Sequence, residues 1–239
     1  MHLFYTPNIT GDTLVLEEQE SKHAIRVLRL EVGDTVILID GAGGWYEAVI
    51  RDDHPKRCLL SISTHIDKYK PLPYELHIAI SPTKNMDRFE WFLEKATEIG
   101  ISKITPLMCH RTGRKQVKME RLERILVSAM KQSLKAFKPV LSDPVSLDKF
   151  LKQERDGTLA IAHCYPLDRL SLTDLEPTGR YTILVGPEGD FTEEELEAAI
   201  KAGYRPLLLG ESRLRTETAG VHISSAISVL NSPSPSKTH

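Results

Sequence analysis

Between Ile183 and Ala219 two strand-like runs each end in a glycine-bearing loop that leads into a helix. The first loop is Gly186-Pro-Glu-Gly-Asp190, followed by Phe191 and by Thr192 with Glu195, the spacing of a capping box in which Phe191 and Leu196 form a hydrophobic staple. The second is Leu209-Gly-Glu-Ser-Arg-Leu-Arg215, which runs into Thr216-Glu-Thr-Ala219 as the next helix opens. Glycine lets backbone approach a ligand closely, and in open α/β sheets ligands bind outside the carboxyl ends of the strands. Neither loop has the spacing of a Walker phosphate loop or of the dinucleotide motif G-x-G-x-x-G. Glu188 and Asp190 would repel a polyanion, so a ligand with ribose hydroxyls and a cationic centre fits better. The plainer alternative is that the glycines make tight turns and the acids face solvent.

A second concentration of charge lies between Lys103 and Lys138. Lys103, Arg111, Arg114, Lys115, Lys118, Arg121, Arg124, Lys131, Lys135 and Lys138 stand there against Glu120 and Glu123. In a chain of net charge -2 that asymmetry is what recognition of a polyanion requires. On a helix, Lys118, Arg121, Arg124 and Lys135 share much of one face while Leu122, Ile125, Leu126 and Ala129 turn to the core. A shorter stripe, Lys22, Arg26 and Arg29 with His23 nearby, reads by itself as an ordinary solvated surface. The histidines form no H-x-x-x-H or H-E-x-x-H pattern, so no metal is expected. Ser224 and Ser225 lack the G-x-S-x-G context of a hydrolase. Gly41-Ala-Gly-Gly44 precedes an aromatic strand and reads as a hairpin turn. Trp91, Phe92 and His222 read as packing residues of helices.

The elements that must position these groups fall into two regions. Residues 1–70 read as short strands (His2–Tyr5, Thr13–Leu16, Thr35–Asp40, Trp45–Arg51 and Cys58–Ile66) with one helical interruption from Glu20 to Leu30. Tyr69-Lys-Pro-Leu-Pro73 reads as a linker. From Tyr74 strands and helices alternate: strands Glu75–Ser81, Lys103–Cys109, Leu159–Cys164, Tyr181–Val185 and Pro206–Leu209, with helices from Met86 to Gly100, Lys118–Lys135, Glu193–Ala202 and Glu217–Leu230. This grammar predicts an α/β domain over 74–230 with a mostly parallel sheet. The polar stretch 231–239 reads as a disordered tail. Length and an ordinary composition (239 residues, 41% hydrophobic) permit one or two domains. Cys58, Cys109 and Cys164 are too scattered for a zinc or redox pair and read as buried apolar residues. There is no apolar run of membrane-spanning length and no secretory signal, so the cytoplasm is the expected compartment and no membrane partner is expected.

Leu184-Val-Gly-Pro-Glu-Gly-Asp-Phe191 followed by Leu209-Gly-Glu-Ser-Arg-Leu-Arg-Thr-Glu-Thr-Ala219 closely resembles the paired signature of the RsmE family, the 16S ribosomal RNA uridine-N3 methyltransferases of the SPOUT class. Lys22-His-Ala-Ile-Arg-Val-Leu-Arg29 with Gly33-Asp34, Lys84, Lys95-Ala-Thr-Glu-Ile-Gly100, Ile104-Thr-Pro-Leu107 and Arg111 extend the likeness over nearly the whole chain. The departures are Lys131-Gln-Ser133, where the family usually has an acid first, Lys135 in place of a common arginine, and the polar Glu211-Ser-Arg213. The resemblance implies a small PUA-like β-barrel followed by a SPOUT-type parallel sheet with a C-terminal trefoil knot, and a homodimer. It implies S-adenosylmethionine as cofactor, held by Leu184, Gly186, Pro187, Glu188 and Gly189 on one side and Leu209, Gly210, Leu214 and Arg215 on the other. Arg215 and Glu217 are the expected catalytic residues. The RNA-binding residues expected on 16S ribosomal RNA, or on the small ribosomal subunit, are Lys22, Arg26, Arg29, Arg111, Arg114, Lys118, Arg121 and Arg124. A SPOUT enzyme acting elsewhere, such as on a ribose 2'-hydroxyl, and a non-catalytic RNA-binding module are the alternatives.

Overall fold

Alternating apolar residues in the first seventy positions pair into one five-stranded sheet in the computed structural model, which describes residues 1–177 and 179–232. Its strands are β1 (Leu3–Tyr5), β2 (Thr13–Val15), β3 (Thr35–Ile39), β4 (Trp45–Asp52) and β5 (Leu59–Ile66), in the order β1-β3-β4-β5-β2. Only β1 beside β3 is parallel. Phe4, Leu38, Ile50 and Leu60 are fully buried at the centre of its core. Asp40 closes the β3–β4 turn by accepting from the N–H groups of Ala42 (2.7 Å) and Gly44 (2.9 Å).

The helix expected over Glu20–Leu30 is shorter and irregular. Helix α1 covers Glu18–Lys22, a π-helical turn follows over His23–Val27, and Arg29 takes a left-handed backbone (φ 57) that ends it. Ser21 locks this segment down, its hydroxyl donating to Leu16 O (2.9 Å) and accepting from Cys58 N (3.0 Å).

Contacts divide the chain into two compact units. Met1–Pro71 clusters with Met130–Lys138, and Leu72–Ala129 clusters with the chain from Pro139 onward. In the first, Met130 and Ala136 pack with Ile37, Ile39 and Trp45.

The second unit is α/β. It contains β6 (Glu75–Ile80), α2 (Met86–Ile99), β7 (Lys103–Met108), the start of α3 (Met119–Gln132), β8 (Val140–Leu141), β9 (Val145–Ser146), α4 (Leu147–Leu151), β10 (Thr158–Ala162), β11 (Leu170–Ser171), β12 (Arg180–Val185), α5 (Glu193–Lys201), β13 (Arg205–Leu208) and α6 (Thr216–Leu230). The strand order is β11-β13-β10-β12-β6-β7-β8, with β9 also beside β7, and every pairing is parallel. Such a sheet must be covered on both faces, so its strands read as continuous apolar runs. Leu76, Ile78 and Ile80 of β6 and Tyr181, Ile183 and Val185 of β12 bury one face under α2, α3 and α6. Ala79 and Leu184 bury the other under α4 and α5.

Several expectations are corrected by the packing. Helix α3 ends at Gln132 and Leu134 turns left-handed (φ 54), so Lys135 lies past the helix and does not share a face with Lys118, Arg121 and Arg124. Trp91 is 43% exposed on α2, unlike the fully buried Phe92 beside it, and His222 is exposed too. Cys164 is exposed, whereas Cys58 and Cys109 are buried. The two-residue strands β8, β9 and β11 and the single turn of α4 are too short for periodicity to reveal. Of the expected tail, Asn231 caps α6 and donates to Tyr181 Oη (3.1 Å) and Ile227 O (2.9 Å); residues 233–239 lie outside the described residues. Among the described residues no helix is long and apolar enough to cross a membrane.

Gly220 shows how tightly α6 sits on α2: a Cβ there would lie 2.5 Å from the ring of Phe92, which is fully buried. Gly220→Ala should therefore destabilise the protein by about 1–3 kcal/mol through overpacking, although alanine is the better helix former. A lowered urea midpoint at unchanged m-value is the expected result.

Candidate active site

The chain order of the parallel sheet reverses beside β6: β7 and β8 extend to one side, and β12, β10 and β13 to the other. A crevice at such a switch point is where an open α/β sheet offers a ligand site. Three segments meet there. The backbone after β6 is tied to the loop after β12, Ser81 N donating to Val185 O (3.0 Å) and Lys84 N to Glu188 Oε1 (2.9 Å). The loop after β13 joins them because α6 packs back on α2 and β6, having passed the ends of β10 and β12. Thr216, in the first turn of α6, fixes that crossing with a buried hydrogen bond from its hydroxyl to Gly186 O (3.0 Å).

The first loop is shaped by short-range chemistry. Asp190 holds a left-handed backbone (φ 62), a conformation that aspartate tolerates better than most residues. Its carboxylate accepts from Phe191 N and Cys164 N, both at 2.8 Å. Thr192 and Glu195 form the expected capping box at the start of α5. Gly186 and Pro187 are buried, while Glu188 and Gly189 are exposed. Leu184 lies in the core on the α5 side of the sheet, so only its backbone can serve a ligand. In the second loop Gly210 is exposed with φ 136, and a Cβ there would meet nothing within 4 Å. Leu209 and Leu214 are half-buried against the main core. Arg215 is the exposed N-cap residue of α6, and its side chain makes no capping bond.

Two buried polar atoms at this edge lack a hydrogen-bond partner, and such groups ask for a reason. Glu217 is 6% exposed; Oε1 lies 3.8 Å from Arg88 Nε, and Oε2 is unpaired. His163 directly follows β10, the strand between β12 and β13. Burial lowers its pKa, Arg169 lowers it further, and Asp190 opposes the shift. Its Nδ1 accepts from Tyr165 N (3.1 Å), which puts the proton of the neutral ring on Nε2, the unpaired atom. Sequence reasoning missed His163 and Arg88. Only the position of His163 at a strand end could have marked it, and nothing local marks Arg88.

The family whose model is described as "RNA methyltransferase domain" matches residues 70–228, and that described as "RNA methyltransferase PUA domain" matches 16–63. The ribosomal RNA small subunit methyltransferase E of Synechocystis is 30% identical over 215 residues, covering 87% of this chain and 70% of that one. The chain belongs to this methyltransferase family. The Aquifex aeolicus member is 29% identical over 95% of this chain and 99% of its own length. Among solved structures, a member from Neisseria gonorrhoeae bound to S-adenosyl methionine superposes with a TM-score of 0.87 at 27% identity, over 96% of this chain and 98% of that one. A candidate rRNA-methyltransferase from Porphyromonas gingivalis reaches 0.91 at 40% identity, over 97% and 98%.

The expected RNA-binding cations are unequally available. Arg111 is bonded to the first loop, its Nη1 donating to Gly189 O (2.8 Å) and Phe191 O (3.1 Å). Arg121 Nη2 donates to Glu90 Oε2 (2.7 Å), and Lys22 pairs with Glu18 (2.6 Å). Arg26, Arg29, Arg114, Lys118 and Arg124 are exposed. Lys131, one of the departures from the family pattern, is half-buried and paired with Glu20 (2.7 Å). Among the described residues no cluster of His, Cys, Asp or Glu side chains is arranged to hold a metal.

Asp190→Ala should remove a charged acceptor from two backbone N–H groups and leave alanine at a positive φ. Each loss costs on the order of 1–3 kcal/mol. Thermal unfolding should show a lower midpoint for Asp190→Ala than for Asp190→Gly, which relieves the backbone strain; equal midpoints would contradict that division.

Proposed function

We propose that this chain transfers a methyl group from S-adenosylmethionine to N3 of a uridine in the 16S ribosomal RNA of the small subunit, acting in the cytoplasm as a homodimer. The observation that carries the reading is the Thr216–Gly186 bond, which holds the two signature loops together at the switch point of a parallel sheet. The residues present suit the cofactor. Gly189 and Gly210 expose backbone without side chains, Leu209 and Leu214 offer apolar surface, and Glu188 and Glu217 supply negative charge toward a sulfonium.

Several finer features belong to this reading. Residues 1–70 form a PUA-like β-barrel that holds RNA through Lys22, Arg26 and Arg29. Residues 74–230 form the catalytic SPOUT domain, with Arg114, Lys118 and Arg124 reaching phosphates and Arg121 held by Glu90. Its C-terminal segment threads a trefoil knot, a rare exception to unknotted topology; the passage of the chain from β13 back to α2 supports that threading. Exposed Trp91 on α2 and Val229 on α6, 75% exposed, are apolar groups that a second copy would cover.

S-adenosylmethionine supplies an electrophilic methyl group when bound. Uracil N3 carries a weakly acidic proton and is a poor nucleophile while it keeps it. The chain must therefore stabilise negative charge on the base, orient it and receive the proton. Arg215 supplies the positive charge. Glu217, whose Oε2 is unpaired, takes the N3 proton as the N3 electron pair forms the new N–C bond and the S–C bond breaks.

Gly210→Val should abolish binding of S-adenosylmethionine by calorimetry, because valine is excluded from φ 136 and its side chain would occupy the open loop. Gly210 is the better choice over Gly186, where a Cβ would press on the Phe191 ring at 3.0 Å and disturb folding. Unchanged affinity in folded Gly210→Val removes the proposed site. Arg215→Ala should leave cofactor affinity within a small factor and slow single-turnover methylation by roughly a hundredfold or more, as expected when one electrostatic stabiliser is lost. A near-normal rate would make Arg215 structural.

A further inference from the structure

We infer that Arg111 is a positioning residue for the Gly186–Asp190 loop, and through it for the cofactor, with no contact to RNA of its own; this rests on the proposed reading of that loop. The turn after β7 is braced internally, Cys109 N donating to Thr112 Oγ1 (2.8 Å) and Thr112 N to Cys109 O (3.1 Å). It is bound to the first loop and its flanks by three successive residues. His110 N donates to Glu195 Oε1 (2.7 Å) at the start of α5. Arg111 spans the carbonyls of Gly189 and Phe191. The Thr112 hydroxyl pairs with Ser81 Oγ (2.8 Å), whose backbone N–H meets Val185 O just before the loop.

Arg111 does what the other cations of the basic segment do not. One guanidinium nitrogen uses both its N–H bonds on the carbonyls of Gly189 and Phe191, so the 189–190 and 191–192 peptide planes, which bracket the left-handed Asp190, are held from one point. The stem contributes as well: a Cβ on Gly189 would lie 3.4 Å from Arg111 Cδ, so glycine lets the arm lie close to the loop. Hydrogen bonds from a charged donor are the stronger kind. Lysine keeps the charge, but its ammonium ends one bond short of the Nη1 position on a flexible stem and lacks the planar guanidinium that presents Nη1 to both carbonyls. The loop carbonyls so engaged are held in one orientation before a ligand arrives, which lowers the ordering cost of binding.

The test uses the full chain and two variants, Arg111→Ala and Arg111→Lys. Both should weaken S-adenosylmethionine binding about tenfold by calorimetry, the scale of losing hydrogen bonds from a charged group. The slope of log affinity for a ribosomal RNA fragment against log salt should match that of the parent protein in both. Hydrogen exchange at Glu188–Phe191 should be faster in both without cofactor, a local readout that general destabilisation would not confine to this loop. Arg111→Lys is the sharper arm because it keeps the charge. Normal cofactor affinity in both variants overturns the inference, and so does a salt slope reduced in Arg111→Ala and restored in Arg111→Lys, which marks a phosphate contact. Gly210→Val, run alongside, separates the two readings. If it too binds normally, the loops are not the site; if it alone loses binding, only the role of Arg111 falls.

Discussion

The hydroxyl of Thr216 meets the carbonyl of Gly186 inside the protein, and each partner depends on the other's loop being where it is. Gly186 directly follows β12, which lies beside β6, whereas Thr216 opens a helix that follows β13, two strands beyond β12. A buried carbonyl left without its donor would cost on the order of 1–3 kcal/mol. The bond therefore selects the arrangement in which α6 returns over the sheet edge to pack on α2. Gly220 against Phe92 completes the same constraint further along the helix, where only a residue without a side chain allows contact so close. The candidate site is thus a consequence of long-range topology secured by a few small residues.

That division explains what the sequence could disclose. The capping box at Thr192 and Glu195 lies within one turn of chain, and its spacing reports a local fact that the structure reproduces. The faces of β6 and β12 were legible as apolar runs for the same reason. The irregular turn after α1 was not, because Ser21 anchors the segment to Cys58, a residue far along the chain. Nor could periodicity show that α3 stops at Gln132, since Leu134 is an unusual residue to turn left-handed and gives no warning. At the site, the loop glycines were visible as residue types. The isolation of Glu217 Oε2 and His163 Nε2 exists only once the sheet edge is assembled.

Charge follows the same logic. The basic segment looked uniform when counted, yet its members have different partners. Arg111 is spent on carbonyls, Arg121 on a largely buried Glu90, and Lys131 on Glu20 in the first unit. A cation already paired with a carboxylate offers little net potential to a phosphate at a Debye length of about 8 Å. The exposed Arg114, Lys115, Lys118 and Arg124, with the carbonyl-bound Arg111 that keeps its charge, shape the field this segment presents. A slightly acidic chain can still engage a polyanion if its few available cations are grouped, because the local potential decides the encounter.

Two of the unpaired buried atoms, His163 Nε2 and Glu217 Oε2, are of opposite hydrogen-bonding kind. Neutral His163 presents an N–H donor, since Nδ1 already accepts from Tyr165 and burial disfavours the second proton. Glu217 presents an acceptor oxygen beside Arg88. They sit on opposite sides of the Thr216–Gly186 crossing in strand order, one following β10 and the other in the helix that returns to β6. Leaving a donor and an acceptor unmatched in the folded chain costs stability that a better-paired sequence would keep. Apolar replacements of similar size would remove that cost, so each of these two polar atoms asks for a reason beyond stability.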